Sequence, residues 1–319
     1  MSPPTVGRRS DPRRHRDEEH RDEEHRYEEH CGEDQRLWSR RAVRRHPCSM
    51  KKVRRETDGK TGDWKIVDLD ERHLTSYLVC LEDWSPEMQE AGDHKARWYD
   101  RARDEGLRVK LAVDRGDQAV GMIQYGPIEL APAQGAGAFM ILCIWVHGYR
   151  AGVGKRQGHG IGAALLEAAE TDARRLGATG LAAWGLRLPV WMKASWFTRH
   201  GYRRVDRQGM RDLVWKPFVP SAAEPRWLHE QPVDIGPPGK VEVTAFKSGW
   251  CPAANLVYER AVEVADELGP DVHVNTVDTS DRATLLGCGH ADAVFVNGRP
   301  LQRGAPPSLR AIRRKMGRE

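Results

Sequence analysis

The stretch from Ala138 to Arg175 constrains this chain more than any other. AFMILCIWV is a continuous apolar run with β-branched and aromatic side chains, HGYRAGVGKRQGHG is rich in glycine, and IGAALLEAAETDARR carries apolar residues at helical spacing. A strand of the first kind is buried on both faces and belongs in the middle of an α/β sheet. Glycine lets backbone N–H groups approach an anion, and the helix that follows offers unpaired N–H donors at the positive end of its dipole. The segment therefore predicts a phosphate cradle between strand and helix, with Arg150, Lys155 and Arg156 adding charge at its rim.

Two familiar phosphate loops fail on this stretch. A Walker A loop needs G-x-x-x-x-G-K-[ST], whereas Gly148 and Gly154 are five residues apart in between and Lys155 is followed by Arg156. A dinucleotide fingerprint laid on Gly158 to Ala163 lacks the acidic residue that the next strand, LAAWGL, should supply for a ribose.

Length favours two domains in the 319 residues. The formal net charge of +5, with both signs interspersed, excludes the clustered basic face of a nucleic-acid binder. No apolar run is long enough for a membrane span, and MSPPTVGRRSDPRRH has no apolar stretch behind its basic residues, so a cytoplasmic protein without a secretory leader is expected. Six cysteines lie far apart without a C-x-x-C, which predicts free thiols in a reducing compartment.

Five segments follow from the composition. Residues 1–49 read as a disordered charged tail. There HRDEEHRDEEHRYEEH spaces His15, His20, His25 and His30 by five, and such a step turns about 140° on a helix, so the histidines share no face. Met50 offers an alternative start. Residues 50–218 read as a mixed α/β domain: WKIVDLD as a strand, LTSYLVCLEDW as a short helix, MQEAGDHKARWYDRARDEG as one amphipathic helix, and RVKLAVD and QAVGMIQYGPIE as a hairpin through Arg115-Gly116-Asp117. PVWMKASWFTRHG reads as a helix, and YRRVDR with DLVWKPF as a closing strand pair. Residues 219–239 are Pro-rich and read as a linker, 240–305 as a small α/β domain, and 306–319 as a basic tail.

Gln157-Gly158-His159-Gly160-Ile161-Gly162 resembles the Q/R-x-x-G-x-G/A signature of the GNAT acetyltransferases. The resemblance includes the order of elements from Trp64 to Phe218 and the ending Ala194-Ser195-Trp196-Phe197-Thr198-Arg199-His200-Gly201-Tyr202. It implies a GNAT-type mixed central sheet flanked by helices, with acetyl-coenzyme A as co-substrate. The pyrophosphate falls to Gln157, Gly158, His159, Gly160, Ile161 and Gly162, and the pantetheine arm to the backbone of the strand at Ile144 and Val146. The reaction implied is direct attack of a primary amine, of a small molecule or a peptide, on the acetyl carbonyl.

Catalytic groups are less plain. The Tyr that protonates the leaving thiolate in the family aligns with Phe197, which leaves Ser195, Tyr149, Tyr202 or no acid. His147, at the end of the apolar strand, is the candidate base or else a structural histidine. Trp145, Trp184, Trp191, Trp196 and Trp215 either wall an acceptor pocket or pack the core.

In the last domain, Lys247-Ser248-Gly249-Trp250-Cys251-Pro252 is similar to the active-site turn of thioredoxin-like proteins, and the pairing with an acetyltransferase domain resembles GNAT proteins with a YoaP-type C-terminal domain. A helix N-terminus would lower the pKa of Cys251 and make it a reactive thiol. Ala254 replaces a resolving cysteine, so a dithiol oxidoreductase is not expected, and Cys288 with His290 is a weak metal signal. No resident metal, nucleic acid or membrane partner is expected, and a homodimer is left open. The alternatives are a thiol-based redox or metal-responsive module centred on Cys251, and a non-catalytic acyl-coenzyme A-binding protein.

Overall fold

The computed structural model describes residues 63–188, 191–302 and 304–317; the histidine tract and Met50 lie outside the described residues. Strand β1 (Trp64–Asp68) leads into helices α1 (Glu71–Leu78), α2 (Pro86–Gln89) and α3 (His94–Asp104). Strands β2 (Arg108–Asp114), β3 (Ala119–Pro127), β4 (Ala133–Gln134) and β5 (Ala138–Val146) follow, then α4 (Ile161–Arg175), β6 (Gly180–Leu186), α5 (Ala194–Arg199), β7 (Arg203–Gln208) and β8 (Arg211–Pro217). After β9 (Arg226–Trp227) come β10 (Val241–Lys247), α6 (Pro252–Leu268), β11 (Val272–Asp278), α7 (Arg282–Cys288), β12 (Ala293–Val296), β13 (Arg299–Pro300) and α8 (Leu309–Met316).

Seven strands form one mixed sheet in the order β1-β2-β3-β5-β6-β8-β7. Alternation along β2 sends Val109, Leu111 and Val113 to one face, beneath α1 and α3, and Ala112 to the other, beneath α4 and α5. That two-sided burial is why β5 lacks the polar alternation of an edge strand. Only β5 and β6 are parallel, and they pair only from Ala138↔Gly180 to Ile141↔Ala183. Beyond that point β6 stays with β8, and β5 with β3, so a gap opens between the two central strands.

A bulge sits where the gap begins. Gln124 opposes Cys143 and Tyr125 opposes Ile141, leaving Leu142 as the extra residue. Leu142 and Cys143 consequently face the same side, that of α1 and α3, while Ile141 and Ile144 face the other. Trp184 on β6 reaches back across the opening and donates from Nε1 to the Leu142 carbonyl at 2.7 Å.

A second sheet, β11-β10-β12-β13, pairs β10 with β11 in parallel and with β12 antiparallel. Its core joins Val243, Ala245, Val294 and Val296 to Val257, Ala261 and Val264 of α6 and to Ile312 and Met316 of α8.

Two expectations need correction. The single helix expected from Met88 to Gly106 is broken into α2 and α3, because the chain turns at Gly92 with φ +67°. The expected linker is not loose throughout: Arg226 and Trp227 pair with Gln134 and Ala133, and Trp227 and Leu228 are buried.

The C-terminal unit is seated on the helices that cover β5. Arg260 of α6, itself buried, donates to Glu87 at 2.6 Å, to Glu90 at 2.9 Å and to the Pro307 carbonyl at 3.2 Å. His94 meets Glu259, and Arg282 donates to the carbonyls of Glu129, Ala131 and Ala133 at 3.0, 2.7 and 2.8 Å.

Candidate active site

The glycine-rich loop joins the free end of β5 to the start of α4. His147 donates its backbone N–H to the Val120 carbonyl at 3.0 Å, which makes that position a hydrogen-bonded pair with β3. By the alternation of antiparallel ladders, Ile144 and Val146 turn their N–H and C=O groups the other way, toward the gap left by β6. Gln157 confirms the direction, since its Nε2 donates to the Val146 carbonyl at 3.1 Å.

At the helix start, Gly158 and Gly160 hold φ of +86° and +80°, which a side-chain-bearing residue adopts only with strain. A Cβ added at either position would meet no atom within 4 Å. The glycines are thus required by backbone shape, and open space lies where side chains would stand. Gly160 is the N-cap of α4 and no side chain bonds the helix N-terminus, so the first amides of α4 keep their donors for a ligand. Trp196 of α5 comes to 3.4 Å of where a Gly162 Cβ would be, walling the cradle on one side. This combination fits a diphosphate: an open concavity, amides at a helix start, and backbone turns that only glycine makes cheaply.

The loop is braced from below. His147 is buried; its Nε2 accepts from Trp84 Nε1 at 3.0 Å, which places the ring proton on Nδ1, and Nδ1 donates to the Gly154 carbonyl at 2.9 Å. Both nitrogens are therefore engaged, and the expected role as base is not what this arrangement offers. Arg156 also turns inward, donating to Asp114 at 2.9 Å and to the Val153 carbonyl at 2.8 Å, instead of lining the rim. Asp114 in turn accepts from the Gly116 and Gln118 amides, so the loop is tied to the β2–β3 turn. His159 donates to the Arg156 carbonyl at 3.1 Å.

Trp84 is the residue that sequence reasoning missed. It arrives from the loop between α1 and α2, packs so tightly on Gly152 that a Cβ there would overlap its ring, and stands edge-on to Tyr149 with centroids 5.3 Å apart. Tyr149 lies 5.9 Å from Trp145 on the same side. Two residues before Trp84, Glu82 is half-buried; desolvation, with the Glu87 carboxylate nearby, pushes its pKa up to about 7. The backbone into this loop is fixed by Cys80 and Leu81, with φ of +54° and +64°.

The other candidates disperse. Ser195 is exposed at the first turn of α5, and Phe197 is fully buried against Tyr202, 5.6 Å between centroids. Tyr202 is buried too, and burial beside the Glu170 carboxylate pushes its hydroxyl well above the usual range. Trp215 is core, while Trp184 and Trp191 pack edge-to-face at 5.1 Å.

Cys251 is the N-cap of α6, as expected, yet its thiol is pushed up to about 12, first by burial and then by the neighbouring Cys80 and the Asp292 carboxylate. Burial thus outweighs the helix dipole at this thiol, which acts against the thiolate that the helix N-terminus alone would favour. Asp292 accepts from the Ser248 amide and hydroxyl, both at 2.8 Å, and pins the turn against α3. Among the described residues, no three His, Cys, Asp or Glu side chains are placed together to hold a metal ion.

No curated protein matches the chain. Solved structures do. A GNAT-family N-acetyltransferase (YhbS) from Escherichia coli in complex with CoA is 14% identical, with 52% of this chain and 89% of that chain covered and a TM-score of 0.38. A GNAT-family acetyltransferase from Brucella melitensis in complex with acetyl-CoA is 18% identical over 49% of this chain and 89% of that one, with a TM-score of 0.33. An aminoglycoside 6′-acetyltransferase of type Ii is 19% identical over 49% and 98%, with a TM-score of 0.38. Residues 71–189, which hold β5, the glycine loop and α4, match the model of the acetyltransferase (GNAT) family, and that stretch is a GNAT acetyltransferase domain.

Proposed function

We propose that the protein is an acetyl-coenzyme A-dependent N-acyltransferase that acetylates a primary amine by direct attack. The observation that carries this reading is the open Gly158–Gly160 cradle at the start of α4, set beside the two outward-turned peptide groups of β5. Its own amides, with Gln157, His159, Ile161 and Gly162 around them, would hold the pyrophosphate, and the backbone of Ile144 and Val146 the pantetheine arm. When bound, acetyl-coenzyme A supplies an activated acetyl thioester.

The chain's residues divide the remaining work. Glu82, half-buried two residues before the Trp84 ring that packs on the glycine loop, is the carboxylate offered to take the proton of an acceptor ammonium, and burial raises its pKa to about 7. His147 holds the loop and Trp84 in place. With Phe197 buried against Tyr202, the proton for the leaving thiolate falls to Tyr149, to Ser195 or to no residue acid. Tyr149 packs beside Trp145 at the end of β5, and Ser195 is exposed next to Trp196, which walls the cradle. The C-terminal unit, a β10-α6-β11 crossover with an antiparallel β12–β13 hairpin, is read as thioredoxin-like of the YoaP type, serving as a scaffold on the acceptor side. A cytoplasmic place accords with the free thiols and with the absence, among the described residues, of a helix able to cross a membrane.

Calorimetric titration with acetyl-coenzyme A tests the reading. The wild-type chain should bind saturably, and Gly160→Trp should abolish binding, because an indole would fill the cradle and force a strained backbone. Unchanged affinity in the variant would remove the assignment. Turnover with any amine would separate an enzyme from a mere acyl-coenzyme A-binding protein.

A further inference from the structure

We propose that Cys80 and Lys95 form an acyl relay: Cys80 Sγ takes the acetyl group from the coenzyme thioester and passes it to Lys95 Nζ, which makes Lys95 a site of self-acetylation. The relay draws its donor from the proposed acyltransfer, and its test reads the two apart.

Lys95, on α3, is 2% exposed. Its Nζ donates to the Tyr77 carbonyl at 2.6 Å, lies 3.9 Å from the centre of the Tyr77 ring and reaches Cys80 Sγ at 3.4 Å. None of these partners is a carboxylate, so an ammonium is held out of water without a carboxylate to balance it, a cost that a neutral amide nitrogen would not carry. Cys80 is held against it by an unusual turn. Directly after the end of α1, Cys80 and Leu81 adopt φ of +54° and +64°, the region that glycine normally fills past a helix, and the Leu81 N–H closes the turn on the Ser76 carbonyl at 2.7 Å. Strain kept at two consecutive residues with side chains marks a thiol whose place is specified. Cys80 is only half-buried, whereas the neighbouring Cys143 is buried, so of these two sulfurs Cys80 is the one open to a reagent.

Tyr77 connects the pair to the gap between β5 and β6. Its hydroxyl donates to Gln124 Oε1 at 2.8 Å, and Gln124 opposes Cys143 at the bulge where the gap begins. Tyr77, Cys80 and Cys143 pack in one hydrophobic cluster. A pantetheine arm laid along Val146 and Ile144 ends at that bulge, with one tyrosine between it and the pair.

The chemistry takes two steps. In the first, the Cys80 thiol attacks the thioester carbonyl: the Sγ–C bond forms, the coenzyme C–S bond breaks, and the thiol proton goes to the departing coenzyme sulfur. In the second, Lys95 Nζ, its ammonium proton given up to water, attacks the acetyl carbon now on Sγ. The N–C bond forms, the Sγ–C bond breaks, and an N–H proton returns to the thiol. The products are an acetylated lysine, a regenerated Cys80 thiol and free coenzyme A. A nitrogen 3.4 Å from the sulfur stands within attacking range of a carbon bonded to that sulfur, and such placement replaces a bimolecular encounter. The lysine is too well buried to meet a thioester from solution directly, so the thiol is the way in.

The test incubates the full chain with acetyl-coenzyme A, digests it and reads Lys95 and Cys80 by mass spectrometry. One acetyl group on Lys95 is expected, slowed at least about tenfold in Cys80→Ser. Lys95→Arg should stop the relay half-way and leave a hydroxylamine-labile acetyl group on Cys80. Reversible methylthio capping of the wild-type thiols controls for a misfolded variant: Lys95 acetylation should cease on capping and return on reduction. Equally fast acetylation of Lys95 without the Cys80 thiol would overturn the relay, as would the absence of acetyl from both residues in a chain that binds acetyl-coenzyme A by calorimetry. S-acetyl-N-acetylcysteamine, a thioester without the diphosphate, keeps the two readings apart. Thiol-dependent acetylation of Lys95 by this probe but not by acetyl-coenzyme A would sink the coenzyme assignment and leave the Cys80-to-Lys95 transfer standing.

Discussion

Glu82 shows how one side chain couples stability to chemistry. In the folded chain it keeps its proton up to about pH 7, whereas an unperturbed glutamate releases it near 4.5. Between those values the folded state binds more protons than the unfolded one, so stability falls as pH rises through the window. The full shift corresponds to about 3 kcal/mol, and less is expected because the side chain keeps some water. Urea midpoints should therefore drop between pH 5 and pH 8 in the wild-type chain, with a smaller drop in Glu82→Gln. The proposed base role predicts a second effect with the opposite sense: kcat/KM rises through pH 7 as Glu82 loses its proton. Glu82→Gln should lose that limb together with most of the activity. A Gln variant with an unaltered pH–rate profile would leave Glu82 a buried carboxyl with no catalytic part.

At the scale of elements, the gap between β5 and β6 depends on a bulge and one indole. The Leu142 carbonyl is freed where β6 departs, and Trp184 takes it up. Replacing Trp184 by Phe removes this bond and leaves the carbonyl short of a partner. A loss of about 1–2 kcal/mol in urea denaturation is expected, with acetyl-coenzyme A binding about three- to tenfold weaker by calorimetry as the strand ends shift. Little of this was legible beforehand. The apolar run of β5, the glycines and the helical spacing of α4 are local patterns, and they place the glycine loop between strand and helix. The bulge depends on register with Gln124 and Tyr125, the anchoring of Trp227 on pairing with Ala133, and the meeting of Trp84 with His147 on a fold that brings together residues 63 positions apart. None of these leaves a periodic trace. Gly92, by contrast, was a visible break that the amphipathic spacing of its neighbours concealed.

Across the whole molecule, the C-terminal unit is fastened to α2 and its C-terminal end by a guanidinium that is far better buried than its partners. Arg260 is 8% exposed at its side chain, while Glu87 and Glu90 are each 53% exposed. That asymmetry decides what substitution does. Arg260→Met removes a buried charge and leaves two carboxylates that water can take back, so it should cost about 1 kcal/mol or less. Truncating both Glu87 and Glu90 to alanine leaves the guanidinium buried with the Pro307 carbonyl as its remaining partner from this set, and a cost of about 3–5 kcal/mol is expected. Urea denaturation of the two variants distinguishes this from a simple count of ion pairs, which would make them equally destabilising. Because α2 follows the loop that carries Glu82 and Trp84, the double-alanine variant should also impair acceptor turnover while acetyl-coenzyme A binding persists. Loss of both together would mean that the C-terminal unit supports the entire sheet rather than the acceptor side alone.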